Sequence, residues 1–308
     1  MITRFEGEGT GRVWPRPLSR GDTVAVVAPS GPVDPELLRH GISLLENLGF
    51  EVRCGSRVLS RHQDLTFLAG TDTDRAADFT QSWTDPEVAA VWAARGGYGA
   101  QRMVDLIDFD ALRQAGPKHL IGYSDITALH ARIGRELGQV TLHGPVAATS
   151  AQLDDPQTVG QLGTLLFAPP QPGYELCQGQ TLSPGVAVGR LIGGNLSLLA
   201  ADIGIEPAPA GARIVVLEEV SEEPYRVDRM ITQLLRAGWF RGVVGVVIGT
   251  FSDSGDSVQV AAVLRDRLGD LQLPMIETAE VGHSLPNRTL PLGATVRLDA
   301  GEGTVRLA

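Results

Sequence analysis

At 308 residues, with 43% hydrophobic and 20% charged side chains, the chain is long enough for two domains with real cores and has the composition of an ordinary soluble globular protein. Its formal net charge of −10 reads as a solubility charge and argues against a nucleic-acid binder, which would show a basic stripe. The two cysteines, Cys54 and Cys177, stand far apart in no metal or redox spacing, which fits a reducing compartment.

Met1 to Asp22 holds no apolar signal core, and its Gly-Glu-Gly-Thr-Gly run precedes the first strand, where a dinucleotide loop would follow one. Gly242 to Gly249 is the nearest approach to a membrane span and is far too short. A cytoplasmic protein without membrane contact is expected. Thr23 to Ala28 is a continuous apolar run, the mark of a strand buried on both faces, and Pro29-Ser30-Gly31-Pro32 breaks it. A helix is predicted from Pro35 to Leu48 and a strand from Phe50 to Cys54, so the two strands should pair in parallel. Thr71 to Asp74 caps a helix through Phe79 and Trp83, and Val88 to Ala93 forms the next strand. That strand runs into Arg95-Gly96-Gly97-Tyr98-Gly99, which is either a tight turn or a loop that lets a ligand approach the backbone.

The strand ending at Gly122 turns through Tyr123-Ser124-Asp125 into a helical pattern that reaches Leu137. A serine at such a turn is either an N-cap or a nucleophile projecting from the sheet end, with the Asp125 amide beside it as an oxyanion donor. Functional groups of an open parallel sheet collect at the carboxyl ends of its strands, where both Ser124 and the Gly96–Gly97 loop fall. Val140 to His143 is one more strand. Residues 1–20 are therefore read as an extension, 21–167 as a doubly wound α/β domain, and the proline-rich 168–184 as a linker.

Residues 185–308 form the second domain. Strands are predicted at Gly185 to Ile192, Arg213 to Leu217, Val243 to Gly249 and Pro274 to Thr278, with helices from Pro224 and from Val258 to Leu268. Glu218 and Glu219 follow a hydrophobic strand, and two such acids ordinarily mark a solvated end. A closing hairpin joins Thr295 to Leu298 with Thr304 to Leu307, so a mixed sheet is expected. Six histidines are available as a base for Ser124. His283, on a turn-rich loop, ranks first and His143, at a strand end, second; His130 lies nearly two turns down the helix leaving Ser124.

Taken together, Ala28-Pro29-Ser30-Gly31-Pro32, Ala69-Gly70-Thr71-Asp72, Arg95-Gly96-Gly97-Tyr98-Gly99, Gly122-Tyr123-Ser124-Asp125-Ile126-Thr127, Gly193-Gly194-Asn195-Leu196, Leu217-Glu218-Glu219-Val220, Tyr225-Arg226-Val227-Asp228-Arg229 and Gly282-His283 resemble the LD-carboxypeptidases, serine peptidases of bacterial cell-wall recycling. The resemblance implies a Rossmann-like, flavodoxin- or amidotransferase-like first domain and a smaller swivelling β/α second domain. It implies a homodimer, no cofactor and no metal. Carried over by motif, Ser124 is the nucleophile, Glu218 the acid and His283 the base, with the amides of Asp125 and of Gly97, in the Gly96–Gly97 turn, as the oxyanion hole. The family pattern has aspartate where this chain has Glu219, and Glu218 holds the matching position. The implied substrate is a small peptide, a murein tetrapeptide losing its C-terminal D-alanine, whose carboxylate needs a cation such as Arg95, Arg226 or Arg229. The alternative is the related microcin C self-immunity activity, cleavage of an amide in aminoacyl-nucleotide analogues. Those relatives run longer around the linker, so the compact chain favours the carboxypeptidase.

Overall fold

The computed structural model describes residues 12–149, 151–169, 171–205 and 210–308, so the glycine run near the N-terminus lies outside the described residues. The chain divides into two compact units between Pro169 and Pro170, and Thr289–Gly293 returns to the first.

In the first unit the chain forms β1 (Thr23–Val27), α1 (Pro35–Asn47), β2 (Glu51–Cys54), α2 (Asp72–Thr84), β3 (Val88–Ala93), α3 (Ala100–Met103), α4 (Phe109–Ala115), β4 (His119–Gly122), α5 (Thr127–Glu136), β5 (Thr141–His143) and α6 (Pro156–Phe167). The second unit holds β6 (Glu175–Gln178), β7 (Gln180–Ser183), β8 (Val186–Asn195), α7 (Leu196–Ala201), β9 (Arg213–Val220), α8 (Pro224–Arg236), β10 (Val243–Ser252), α9 (Ser257–Gly269) and β11 (Met275–Glu277). The chain then crosses back for β12 (Leu290–Leu292) and ends in the second unit with β13 (Thr295–Asp299) and β14 (Thr304–Leu307).

The first sheet has the order β12-β5-β4-β3-β1-β2. Its five chain-ordered strands are parallel, and β12 adds antiparallel to β5 at the edge. Strand order reverses at β1/β3, the flavodoxin-like arrangement in which ligands meet the carboxyl edge at the reversal point. Local chemistry fixes the helices around it. The Asp34 carboxylate accepts from the amides of Glu36 and Leu37 with Pro35 opening α1, and the Thr71 hydroxyl caps α2. Val24, Val26, Trp92, Ile121 and Leu142 from the strands pack with Leu38, Leu45, Leu162 and Leu166 from α1 and α6. Burial of this apolar surface is the main favourable term.

The second sheet is mixed, in the order β6-β14-β13-β8-β9-β10-β11-β7. Strands β8 to β11 are parallel and the other four pair antiparallel around them. Leu217, Val227, Ile231, Leu234, Val246 and Leu264 form its core.

Four expectations change. The stretch 168–184 carries two strands, β6 and β7, because after its prolines the chain finds edge pairing with β14 and β11. The second unit is interrupted by β12. Residues 12–20 are no loose extension: Val13 bridges Gln139 and Leu18 is buried in the first core. Strand β8 runs through Gly193 and Gly194 to Asn195, since each still pairs with β9.

Candidate active site

In the first unit the site is built on three strand ends. β4 is buried throughout, and the chain leaves it through Tyr123 into a single 3₁₀ turn, Ser124–Ile126, before α5 begins. Ser124 has φ +64, the left-handed region that a side chain ordinarily avoids. Such a residue costs about 1–3 kcal/mol and persists only where its surroundings over-determine it. The surroundings here are a close backbone: a Cβ on Gly96 would lie 2.9 Å from Ser124 Cβ, so only glycine admits the loop after β3. The same loop accepts at Gly96 O from the Gly31 amide, 3.2 Å away, in the loop after β1. Gly97 takes φ +108. The serine, the Gly96–Gly97 turn and the Gly31 loop thus converge at the carboxyl edge beside the β1/β3 reversal.

Asp125 lies directly behind the serine and is buried, with Oδ2 accepting from the Ala100 amide at 2.7 Å. Burial pushes its carboxyl above the usual range, and the nearby Ser30 hydroxyl, the Ala100 amide and the Arg75 charge pull it back.

The second unit holds an acid–imidazole pair of its own. Glu218 and Glu219 sit inside β9, both buried, so they are not the solvated strand end that their sequence suggests. Adjacent strand residues point to opposite faces, and the two carboxylates part accordingly. Glu218 Oε2 lies 2.8 Å from Nδ1 of His283, with the Glu218 side chain fully buried and that of His283 17% exposed. With the carboxylate ionised, Nδ1 donates and Nε2 becomes the basic nitrogen. Glu219 instead accepts from Asn195 Nδ2 at 2.8 Å and from the Ser197 amide at 2.7 Å, holding the start of α7. Burial pushes the Glu219 carboxyl up. The His283 backbone amide donates to Thr250 Oγ1 at 3.1 Å, and a Cβ on Gly282 would come within 2.4 Å of that oxygen. Glycine before the histidine is what lets the loop lie against β10 and carry the ring onto Glu218.

The remaining histidines have other roles. His143 is fully buried, its ring edge-on to Tyr123 at 6.0 Å and 6.2 Å from His130. His130 does reach back along its helix, and its Nε2 donates to Gly122 O at 2.8 Å behind the serine turn. His119 is buried on Arg16 O, His62 Nδ1 accepts from the amides of Asp64 and Leu65, and His40 meets Asp154 at the surface. Arg95, exposed one residue before Gly96, donates to Pro32 O. Arg226 and Arg229 stand over the ring of the exposed Tyr225 at 5.9 and 5.3 Å, and Arg226 also meets Glu222. Among the described residues no group of three or more His, Cys, Asp or Glu is arranged to hold a metal ion, and no helix is long and apolar enough to cross a membrane.

Three supports escaped the sequence reading: the Asp125 carboxylate, Thr250 and Arg75. Only Arg75 leaves a trace, a cation in the first turn of α2, where an anion is favoured.

The family model described as LD-carboxypeptidase N-terminal domain matches residues 24–144, and that of the LD-carboxypeptidase C-terminal domain matches residues 188–298. A Streptomyces coelicolor protein whose carboxypeptidase name is provisional is 46% identical over 297 residues, covering 96% of each chain. The murein tetrapeptide carboxypeptidase of Pseudomonas aeruginosa is 32% identical over 290 residues, covering 90% of this chain and 92% of its own. Among solved structures, the muramoyltetrapeptide carboxypeptidase of Oxalobacter formigenes superposes with a TM-score of 0.79 at 28% identity, over 92% of this chain and 97% of that one. MccF in complex with glutamyl sulfamoyl guanosine superposes at 0.85 and 23% identity, over 95% and 97%, a likeness that speaks for the fold.

Proposed function

This chain belongs to the LD-carboxypeptidase family, and from that premise we propose that it is a serine peptidase releasing the C-terminal D-alanine of murein tetrapeptides through a triad of Ser124, His283 and Glu218. The observation that carries the reading is the 2.8 Å contact between His283 Nδ1 and a fully buried Glu218 carboxylate. A buried acid is costly unless it has a partner, and an imidazole fixed by its Nδ1 is the form that serves as a general base. The left-handed Ser124 at a strand end supports the nucleophile.

In the proposed reaction His283 Nε2 takes the Ser124 proton as Oγ attacks the carbonyl of the scissile amide. Glu218 holds the tautomer and stabilises the imidazolium. The amides of Gly97 and Asp125 receive the oxyanion, His283 returns the proton to the leaving amine of D-alanine, and water then hydrolyses the acyl-enzyme. The free carboxylate of the substrate calls for a cation. Arg95 adjoins the nucleophile turn, whereas Arg226 and Arg229 both face the Tyr225 ring. A homodimer working in the cytoplasm during cell-wall recycling completes the proposal, on the family resemblance alone.

The test is mass spectrometry of purified protein incubated separately with a muropeptide tetrapeptide and with an aminoacyl sulfamoyl adenylate. The proposal expects the tetrapeptide to shorten by one alanine. Cleavage of the adenylate alone would replace it with the self-immunity type of amide hydrolysis.

A further inference from the structure

Behind the serine turn lies a buried cation that the triad does not use. Arg75, in the first turn of α2, is 1% exposed, and its side chain points into the first unit. Its Nη1 donates to two carbonyls, Pro29 O in the loop after β1 and Gly99 O, 2.8 Å away, at the end of the loop after β3. Its Nη2 pairs with Asp72. Asp72 is held in turn by Arg102 of α3, whose Nε and Nη2 lie 3.1 and 2.9 Å from Asp72 Oδ2. The peptide after Gly99 closes the circle, because the Ala100 amide donates to the Asp125 carboxylate. One guanidinium therefore fixes both loops that flank the β1/β3 reversal, and the Gly99–Ala100 peptide links it to the residue following Ser124.

The two candidate oxyanion donors are the amides of Gly97 and Asp125. The first belongs to the loop whose far end Arg75 holds. The second belongs to the residue whose carboxylate is tied to that same end. Their separation is set by a chain of three links: Arg75 to Gly99 O, the Gly99–Ala100 peptide, and Ala100 N–H to Asp125. Burying an arginine is expensive, and an apolar side chain of similar volume often serves stability equally well. A buried arginine that spends its donors on loop carbonyls answers a demand for position: the planar fork reaches several acceptors at once, which a lysine ammonium on a flexible stem does not reproduce.

We propose that Arg75, acting with the Asp125 carboxylate, is a positioning residue that sets the spacing of the oxyanion hole; this rests on the reading of Ser124 as nucleophile. Its substitution should therefore weaken transition-state binding and leave ground-state binding alone.

The test compares the wild type with Arg75→Lys, Arg75→Met and Asp125→Ala in two assays, with circular dichroism to establish folding. One is the rate of Ser124 labelling by a fluorophosphonate, located by peptide mass mapping. The other is kcat and KM for alanine release from a tetrapeptide. Because displacing a donor by about an ångström costs on the order of 10²-fold, Arg75→Lys should lower both labelling rate and kcat by about 10- to 100-fold, with KM unchanged within about twofold. Asp125→Ala should fall in the same range, and it keeps the inference testable if Arg75→Met does not fold. Folded variants that label and turn over at the wild-type rate overturn the positioning role, and so does a rise in KM at constant kcat. A wild-type protein that takes no label at Ser124 overturns the nucleophile reading itself, which is a different result.

Discussion

Two histidines illustrate how differently one side chain is used in two parts of this molecule. His143 closes β5 in the first unit, fully buried, packed against Tyr123 and near His130. His283 sits on a loop of the second unit, partly exposed, with Nδ1 on the Glu218 carboxylate. Both end up at places where catalytic groups gather, a strand terminus and a loop. What marks His283 is the buried carboxylate on its Nδ1, a contact that defines the tautomer and leaves Nε2 as the nitrogen able to accept a proton. Position in the fold nominates both as bases, and the Glu218 carboxylate on Nδ1 is the reason the proposed triad uses His283.

The comparison can be broken most sharply at the nucleophile. Ser124→Ala should abolish alanine release while leaving the circular dichroism spectrum and melting temperature near those of the wild type, since nucleophile loss costs several orders of magnitude. A variant with more than a few per cent of wild-type kcat would sink the assignment. The histidines come next. His283→Ala should lower kcat for alanine release by several orders of magnitude, because the variant has no imidazole on Glu218 to take the serine proton. His143→Phe, which keeps a ring against Tyr123, should retain most of the wild-type kcat. A kcat that collapses in a folded His143→Phe protein while His283→Ala stays active would move the base into the first unit.

The neighbouring acids supply a smaller contrast. Glu218→Gln preserves shape but removes the charge that orients His283, and should lower kcat by about 10³- to 10⁴-fold, the scale seen when a triad acid becomes an amide. Glu219→Gln should cost activity less than about tenfold, since its carboxylate serves Asn195 and the Ser197 amide. Its effect should appear in the melting temperature. Equal losses in kcat would mean that the two faces of β9 had been misassigned.

What the sequence discloses of this arrangement follows from the range of the interactions. The strand–helix alternation of the first unit is written locally, in apolar runs such as Thr23–Val27 and in caps such as Asp34 and Thr71, so its parallel sheet could be read directly. The strands β6, β7 and β12 could not. Each is three or four residues long, and each exists because a distant strand offers an edge: β12 contains Pro291 yet pairs with β5 across the sequence. For the same reason a fragment ending near residue 167 would keep β5 paired with β4 but leave its other edge without β12. Ser124, Glu218 and His283 could be nominated from the sequence because their motifs are short and ordered. Arg75 and Thr250 could not: a cation in a helix's first turn is a faint anomaly and a strand threonine none at all, until the fold turns them inward.

The last contrast concerns protons in the interior. Burial pushes His130 down to about 3, helped by its neighbour His143, and pushes His119 down to about 4. Both start from the ordinary value of 6.5. In the unfolded chain they bind protons as pH falls below that value, while in the folded chain they stay neutral. The unfolded state therefore holds more protons between about 6.5 and 3–4, and stability must fall with decreasing pH across that window. Above it, neither histidine contributes a slope. Each proton corresponds to at most about 1.4 kcal/mol per pH unit. Urea unfolding followed from pH 7 to pH 4.5 should thus show a progressive loss of stability, and His130→Gln should flatten the curve by up to that amount. The glutamine keeps an N–H donor for the Gly122 carbonyl that His130 Nε2 now serves, so the substitution removes the titration with little change in the contact. An unchanged slope in a folded His130→Gln protein would show that His130 binds its proton equally in the native and unfolded states, so that burial does not keep it neutral.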